Sequence, residues 1–376
     1  MTALLRVVLD QVVAPVDPNL AIASRELGRA LVRMAPAGCA VGGIVPAVAD
    51  AAGTVEGAVP GLESLARMSL ARRELAAAWQ LGVTPGVGGG MIHSPTVLAP
   101  LVKHDRVHDH DQTVVTLWDL DAWERPAEMA KTSVAWHRAM LKRAVRHADA
   151  VVVPTHAAAA GLAEIARLGD RIRVISGAAP AGFAVPVDEI GRRRALELPD
   201  GFLLVAGSSA PSAGLPDAFA AIARAGSDLP VVVIDVPEHD APVVEELAVA
   251  AGLDEARVHV RGALEDADRA AVLGAAVALL APSRLTAFPW RVIEALAIGV
   301  PVVASDSPTH RAVVLDGGAF AADGGADAGE ALADALGQVL GSAAAVERYA
   351  VLAGDRGRAF SWMGAAERVW QLHADL

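Results

Sequence analysis

Short runs of Val, Ile and Leu alternate along this chain with Ala-rich stretches of helical periodicity, and no other feature constrains the fold as much. A strand covered on both faces reads as a continuous apolar run, and successive parallel strands need a crossover, usually a helix. In the first half the strand candidates are 5–9, 40–45, 90–93, 113–118, 150–154 and 171–175; in the second half they are 202–206, 230–234, 257–260, 277–281, 301–304 and 319–321. Between the two series lies "GAAPAGFAVPVDEIGRRRALELPDG", whose Pro and Gly residues and charged helix mark a linker. The pattern predicts an α/β protein of two doubly wound domains, 1–183 and 184–359. Ligands in such sheets bind beyond the carboxyl ends of the strands, here in a cleft between the domains.

The 376 residues suit two domains of about 150–200 each. Apolar residues make up 53% and aromatic ones 4%, so the cores must be built largely from small side chains. A net charge of −12, spread through the chain, argues against a nucleic-acid partner, which needs clustered cations. The single cysteine, Cys39, excludes an internal disulfide and any Cys-based metal site, and "AGCAVGGIV" reads as the entry to a buried strand. "MTALLRVVLDQVV" reads as a first strand and not as a leader, and no apolar run is long enough to span a bilayer. The expectation is a cytoplasmic protein.

Two polar stretches admit a sharper and a plainer reading. "KHDRVHDHDQ" contains residue types that bind metal, yet ligands fixed only by a loop make poor sites, and a solvated connector is the better reading. "KTSVAWHRAMLKRAVRHAD" places Arg138, Lys142, Arg143 and Arg146 on an amphipathic helix. Such a helix is able to lie on anionic lipid at the inner face of a membrane, although a core helix with a charged outer face explains it as well. No Walker loop, Ser-His-Asp pattern or CxxC occurs, and "GGG" at 88–90 precedes a strand where a dinucleotide fingerprint would follow one. No cofactor and no metal are expected.

Several stretches together carry a family resemblance: "SRELGRALV", "IHSPTVLAPL", "TLWDLDAWERPAEM", "ADAVVVPTHAAAAGL", "APSRLTAFPWRVIEALAIGVPVVASDSPTHRAVV" and "RAFSWMGAAERVWQLH". The chain resembles, nearly end to end, the retaining GT-B glycosyltransferases of family 4, and most of all actinobacterial rhamnosyl- and mannosyltransferases. That resemblance implies two Rossmann-like domains facing a cleft, an acceptor-side domain followed by a nucleotide-sugar-side domain, with the terminal helix 360–376 returning to the first.

It also implies a donor site, from which this sequence departs. A leaving diphosphate must be held by cations or backbone N–H groups, and the sugar and ribose hydroxyls by carboxylates. The family places an Arg and a Lys in the loop after the first strand of the second domain. The matching loop here contains Gly207 and Ser208, with Ser212 and Ala213 at the two cationic positions. Of two Glu separated by seven residues, Glu294 matches the second, which serves the ribose, while Thr286 replaces the first. A His-Asp pair is here Trp118-Asp119, and the Gly-rich loop after the first strand is here "APVDPNLAIA", without Gly. Backbone near Gly262 and Leu264 completes the implied nucleotide site.

One charge-assisted hydrogen bond contributes about 1.5–3 kcal/mol. Losing both cations therefore removes roughly 3–6 kcal/mol, about 100- to 10,000-fold in donor affinity. The expectation is a protein with weak or absent nucleotide-sugar binding that serves as a subunit beside an active homologous glycosyltransferase of cell-envelope glycan synthesis. Arg72, Arg73, Trp79, Trp136, Arg138 and Met140 supply the residue types of an interface. The alternative is an active retaining hexosyltransferase in which Ser208, Ser209, Ser212 and helix N-termini hold the diphosphate.

Overall fold

The computed structural model describes residues 3–84, 86–322 and 327–376. The chain forms two compact units, one of residues 1–177 and 361–376, the other of residues 178–360. The changeover thus falls at the start of the linker segment read from sequence, six residues before the 183/184 domain bound.

The first unit holds a parallel sheet of seven strands: β1 (Ala3–Val8), β2 (Cys39–Val45), β3 (Ser64–Arg67), β4 (Met91–Ser94), β5 (Gln112–Thr116), β6 (Ala150–Val153) and β7 (Ile172–Val174). Their order is β3-β2-β1-β4-β5-β6-β7, the doubly wound arrangement that reverses direction beside β1. The three central strands run in register, Leu5 and Val7 of β1 opposite Val41 and Gly43 of β2 on one side and Met91 and His93 of β4 on the other. β3 is absent from the sequence expectation. Its four residues, "SLAR", sit at the sheet edge, Ser64 and Arg67 exposed and Leu65 and Ala66 half-buried, and lack the apolar run that marks a doubly covered strand. β5 ends at Thr116, so Trp118 stands in the loop beyond it.

The second unit holds six parallel strands: β8 (Phe202–Ala206), β9 (Val231–Ile234), β10 (Val258–Val260), β11 (Ala276–Ala281), β12 (Val302–Ala304) and β13 (Gly318–Phe320), in the order β10-β9-β8-β11-β12-β13. β8, β9 and β12 are buried almost throughout, which is why they read as uninterrupted Val and Leu. Phe219 and Ile222 of the helix Leu215–Arg224 fill the space over β8 and β9 with Leu203, Val205 and Val233, all fully buried. Burial of each such side chain stabilises by about 1.5–3 kcal/mol. Ala-rich helices come close enough to pack tightly; a Cβ added at Gly329 would lie 3.0 Å from Ala220.

The last helix, Trp362–Asp375, belongs to the first unit. It starts where the Ser361 hydroxyl accepts from Gly364 N–H, and it buries Ala365, Ala366, Val369 and Leu372. Trp370 donates from Nε1 to the Leu31 carbonyl at 3.1 Å, on the helix Pro18–Arg33. His373 Nδ1 lies 2.8 Å from Gln112 Oε1, and its Nε2 is 3.4 Å from His93 Nδ1. Both histidines are fully buried, and burial pushes His93 far below, and His373 down to about 4 from, the ordinary imidazole value. Among the described residues no helix is long and apolar enough to cross a membrane.

Candidate functional site

In the second unit the carboxyl ends of β8, β9 and β11 meet residues that the sequence reading singled out. The loop after β8 leaves the strand at Gly207, whose φ of 151° suits glycine, and returns through Gly214, in the left-handed region at φ 72°, into the helix Leu215–Arg224. A Cβ at Gly207 would meet that of Ala213 at 3.1 Å, so Ala213 packs back on the strand end and offers no cation. The Ser209 N–H of this loop donates to Asp240 Oδ2 at 3.2 Å. A backbone donor suited to a phosphate therefore already faces a carboxylate. Ser208 Oγ accepts from Ala210 N–H at 3.4 Å, a local turn contact.

Glu294 lies in the helix Trp290–Ile298, and its side chain is 2% exposed. Arg269 Nε donates to both its oxygens, at 3.1 and 2.9 Å, and Arg291 Nη1 donates to Oε2 at 2.9 Å. Arg291 in turn donates from Nε to Asp235 Oδ2 at 2.6 Å, and Arg269 to Asp266 Oδ1 at 2.8 Å and to the Leu264 carbonyl at 2.7 Å. Asp235 follows β9 with φ 63°, an uncommon conformation for a residue with a side chain, and its N–H donates to the Gly262 carbonyl at 3.3 Å. Two guanidiniums thus face three carboxylates, and the cluster has no positive charge left over for a diphosphate. The sequence reading missed Arg269, Arg291 and Asp235. Arg291 was visible three residues before Glu294, the spacing of neighbours on one helix face; Arg269 and Asp235 come from elements distant in sequence.

Thr286 stands half-buried in the loop between β11 and the 290–298 helix, a hydroxyl where a carboxylate was sought. Trp290 packs edge-on against buried Phe288, with ring centroids 4.6 Å apart, and is a packing residue of that loop.

In the first unit, Trp118 and Asp119 both border one cavity but make different contacts. The Trp118 indole is buried, donates from Nε1 to the Pro95 carbonyl at 2.8 Å and meets Trp362 edge-on at 6.2 Å. A side chain at Gly177 would collide with both indoles, at 3.0 and 3.1 Å. Trp118 therefore ties the loop after β5 to the last helix. Asp119 is half-buried beside a cavity of about 560 Å³ at the carboxyl ends of β1, β4 and β5. One of its oxygens accepts from Asp121 N–H at 3.1 Å. Burial, with the Asp121 charge, raises its carboxyl to about 6.

The other polar stretches resolve into structural contacts. His104 places Nε2 2.8 Å from Asp149 Oδ2 and Nδ1 2.9 Å from the Val102 carbonyl; bonded to the carboxylate, its imidazole is raised above the ordinary value. His108 pairs instead with Asp105. The expected interface anchors need correction: Trp79 and Met140 are fully buried, because the amphipathic helices that carry them turn their apolar side inward. Trp136 is half-buried, and Arg138 donates to the Ala122 carbonyl at 3.0 Å.

Comparison with known proteins agrees with this architecture. Residues 208–342 match the family model of glycosyl transferases group 1. No curated protein matches the sequence. Among solved structures, sucrose-phosphate synthase from Thermosynechococcus elongatus is similar over 99% of this chain and 98% of its own, with a TM-score of 0.72 at 20% identity. Anabaena HepE in complex with UDP and glucose is similar over 100% of both chains, with a TM-score of 0.72 at 15% identity. A glycosyltransferase from Rickettsia africae is similar over 100% of this chain and 98% of its own, with a TM-score of 0.64 at 13% identity. The fold is the α/β GT-B fold, two Rossmann-like units, the second carrying the segment that matches the group 1 glycosyl transferase model.

Proposed function

We propose that this chain is a family 4-like glycosyltransferase homologue whose donor site is shut, and that it persists as a subunit that stabilises or positions an active homologous glycosyltransferase in cell-envelope glycan synthesis. One observation carries the reading: Glu294, the carboxylate matching the ribose-binding position, is 2% exposed and held by Arg269 and Arg291. A ribose would have to displace a charge-assisted contact of about 1.5–3 kcal/mol to reach it. The loop 207–214 supports the same view, since it contains neither Arg nor Lys and its Ser209 N–H already meets Asp240.

Calorimetric titration with UDP-, GDP- and dTDP-sugars tests the shut site; micromolar affinity for any of them sinks it. Co-expression with active glycosyltransferases, followed by size-exclusion chromatography and activity assay, tests the subunit role. That role fails if the chain co-elutes with none of them and leaves their activity unchanged.

A second reading is an active retaining rhamnosyl- or mannosyltransferase with an atypical donor site. The match of 208–342 to glycosyl transferases group 1 favours it, since that segment spans the donor-side motifs. Turnover of a nucleotide sugar by the purified chain would establish it.

A further inference from the structure

The helix Lys131–His147 of the first unit buries one side and shows a single sign of charge on the other. Its fully exposed positions 131, 135, 138, 142 and 146 recur every three or four residues and so lie in one stripe along the helix. Four of them are Lys131, Arg138, Lys142 and Arg146, and the helix contains no acidic residue. Lys131, Lys142 and Arg146 have no ion pair among the described residues, and Arg138 bonds only the Ala122 carbonyl. Like charges crowd the end of the helix: the His147 imidazole is lowered by burial and by Arg143 and Arg146 beside it. Leu81 and Val83, just past the helix Arg72–Gln80, are 77% and 54% exposed. A Cβ on Gly82 between them would stand 2.6 Å from Arg143 Nη2, so this apolar pair borders the stripe.

The matching surface is on the chain itself. Residues 1–177 and 361–376 contain 19 Lys and Arg and 19 Asp and Glu, whereas residues 178–360 contain 13 and 25. The net charge of −12 thus belongs wholly to the second unit and is not spread evenly, as the sequence reading took it. It is dense around the helix Ala241–Ala250: from 236 to 256 there are six acidic residues and no Lys or Arg. Glu238, Glu245, Glu246 and Glu255 are exposed and have no ion pair among the described residues. Val243 and Val249 of the same helix are exposed as well. Two aliphatic side chains among anions here answer two among cations in the first unit.

We propose that the basic stripe of one copy docks on the helix Ala241–Ala250 of a second copy of this chain, with Leu81 and Val83 against Val243 and Val249. Complementary charge selects such a partner and sets the register of the contact. An anionic bilayer would account for the stripe alone and leave the exposed valines of the acidic helix without a role; a second copy accounts for both. The acidic helix is ten residues long, so the contact falls in the small class of interfaces, below about 1,200 Å², and the association is weak. No residue of the shut donor corner takes part, so this contact and the shut-site reading stand or fall separately.

The test is sedimentation equilibrium of the full chain from about 10 to about 500 μM in about 0.1 M NaCl, where repulsion between the net charges is largely screened beyond about 10 Å. The average mass should rise with concentration, and about 0.5 M NaCl should weaken the association several-fold. Lys142→Glu/Arg146→Glu and Glu245→Lys/Glu246→Lys should each abolish it. All four side chains are exposed, so the melting temperature should stay within about 2 °C of the parent. Mixing the two variants should restore association, because each reversed surface then meets its opposite. Association that ignores both reversals, or a mixture that stays monomeric, overturns the proposal. So does a parent chain that is monomeric at about 500 μM, including one that instead co-sediments with phosphatidylglycerol vesicles through Lys142 and Arg146, which would assign the stripe to lipid.

Discussion

Each unit places one carboxylate that the sequence had marked at the carboxyl ends of its strands, and the two meet opposite fates. Glu294, in the second unit, is buried and gripped by two guanidiniums. Asp119, in the first, meets a backbone N–H beside an open cavity and is pushed up to about 6. A retained motif residue therefore says little about whether its side chain is available; the cations that fold around it decide. In the second unit those cations make the carboxylate part of the architecture, whereas in the first the lack of a committed cation leaves it reactive to its surroundings.

The sharpest way to break this contrast is to remove Arg269. Its side chain and that of Glu294 are 3% and 2% exposed, so Arg269→Ala leaves the buried Glu294 charge with Arg291 as its remaining cation. Removing one partner of such a pair costs about 3–5 kcal/mol, while replacing both by apolar residues is often neutral. Urea denaturation should show a loss of this size for Arg269→Ala and a smaller one for the Arg269→Met/Glu294→Leu double variant. A loss under about 1 kcal/mol for the single variant would mean that Glu294 is not structurally committed.

Acid stability comes next. His373, in the first unit, and His310, in the second, are both lowered to about 4 by burial. A group whose folded value lies below its unfolded value, about 6.5 for histidine, contributes stability that is complete above that unfolded value. The contribution is lost as pH falls from about 6.5 towards 4, by up to about 3 kcal/mol for each histidine. Asp119 acts in the opposite sense, since its raised carboxyl takes up a proton near 6 in the folded state and thereby favours it. The melting temperature should therefore drop between pH 6.5 and 4, and His373→Gln should flatten the decline; an unchanged profile in that variant would show that the histidine beside Gln112 does not control it.

A smaller effect separates closure from absence of cations. Arg291→Ala removes one hydrogen bond to Glu294 and two to Asp235. Stability should fall by about 1.5–3 kcal/mol, and UDP affinity should rise measurably if closure is what excludes the ribose. If affinity stays undetectable, the missing cations at 212 and 213 suffice to explain weak binding. The smallest expected effect is at Asp119. An NMR titration should place its carboxyl near 6, and a value near 4 would show that the cavity wall is well hydrated.

The alternation of apolar runs and Ala-rich helices determined two doubly wound sheets, because strands covered on both faces can hardly be built otherwise. β3 escaped, since an edge strand with exposed sides needs no apolar run. The loop chemistry at Ser212, Ala213 and Thr286 was also written in the sequence, because a missing charge is visible as a letter. What tertiary structure alone decided is which carboxylates are spoken for. Arg269 and Asp235 reach Glu294 and Arg291 from other elements, 25 and 56 residues away along the chain. Trp79 and Met140 are polar-helix neighbours in the sequence and core residues in the fold, because a helix shows its inward face only once something packs on it. The same holds for the cavity: Thr116, Asp119, Arg73 and Trp136 share a wall only because β5 and two helices bring their ends together, and no spacing along the chain encodes that meeting.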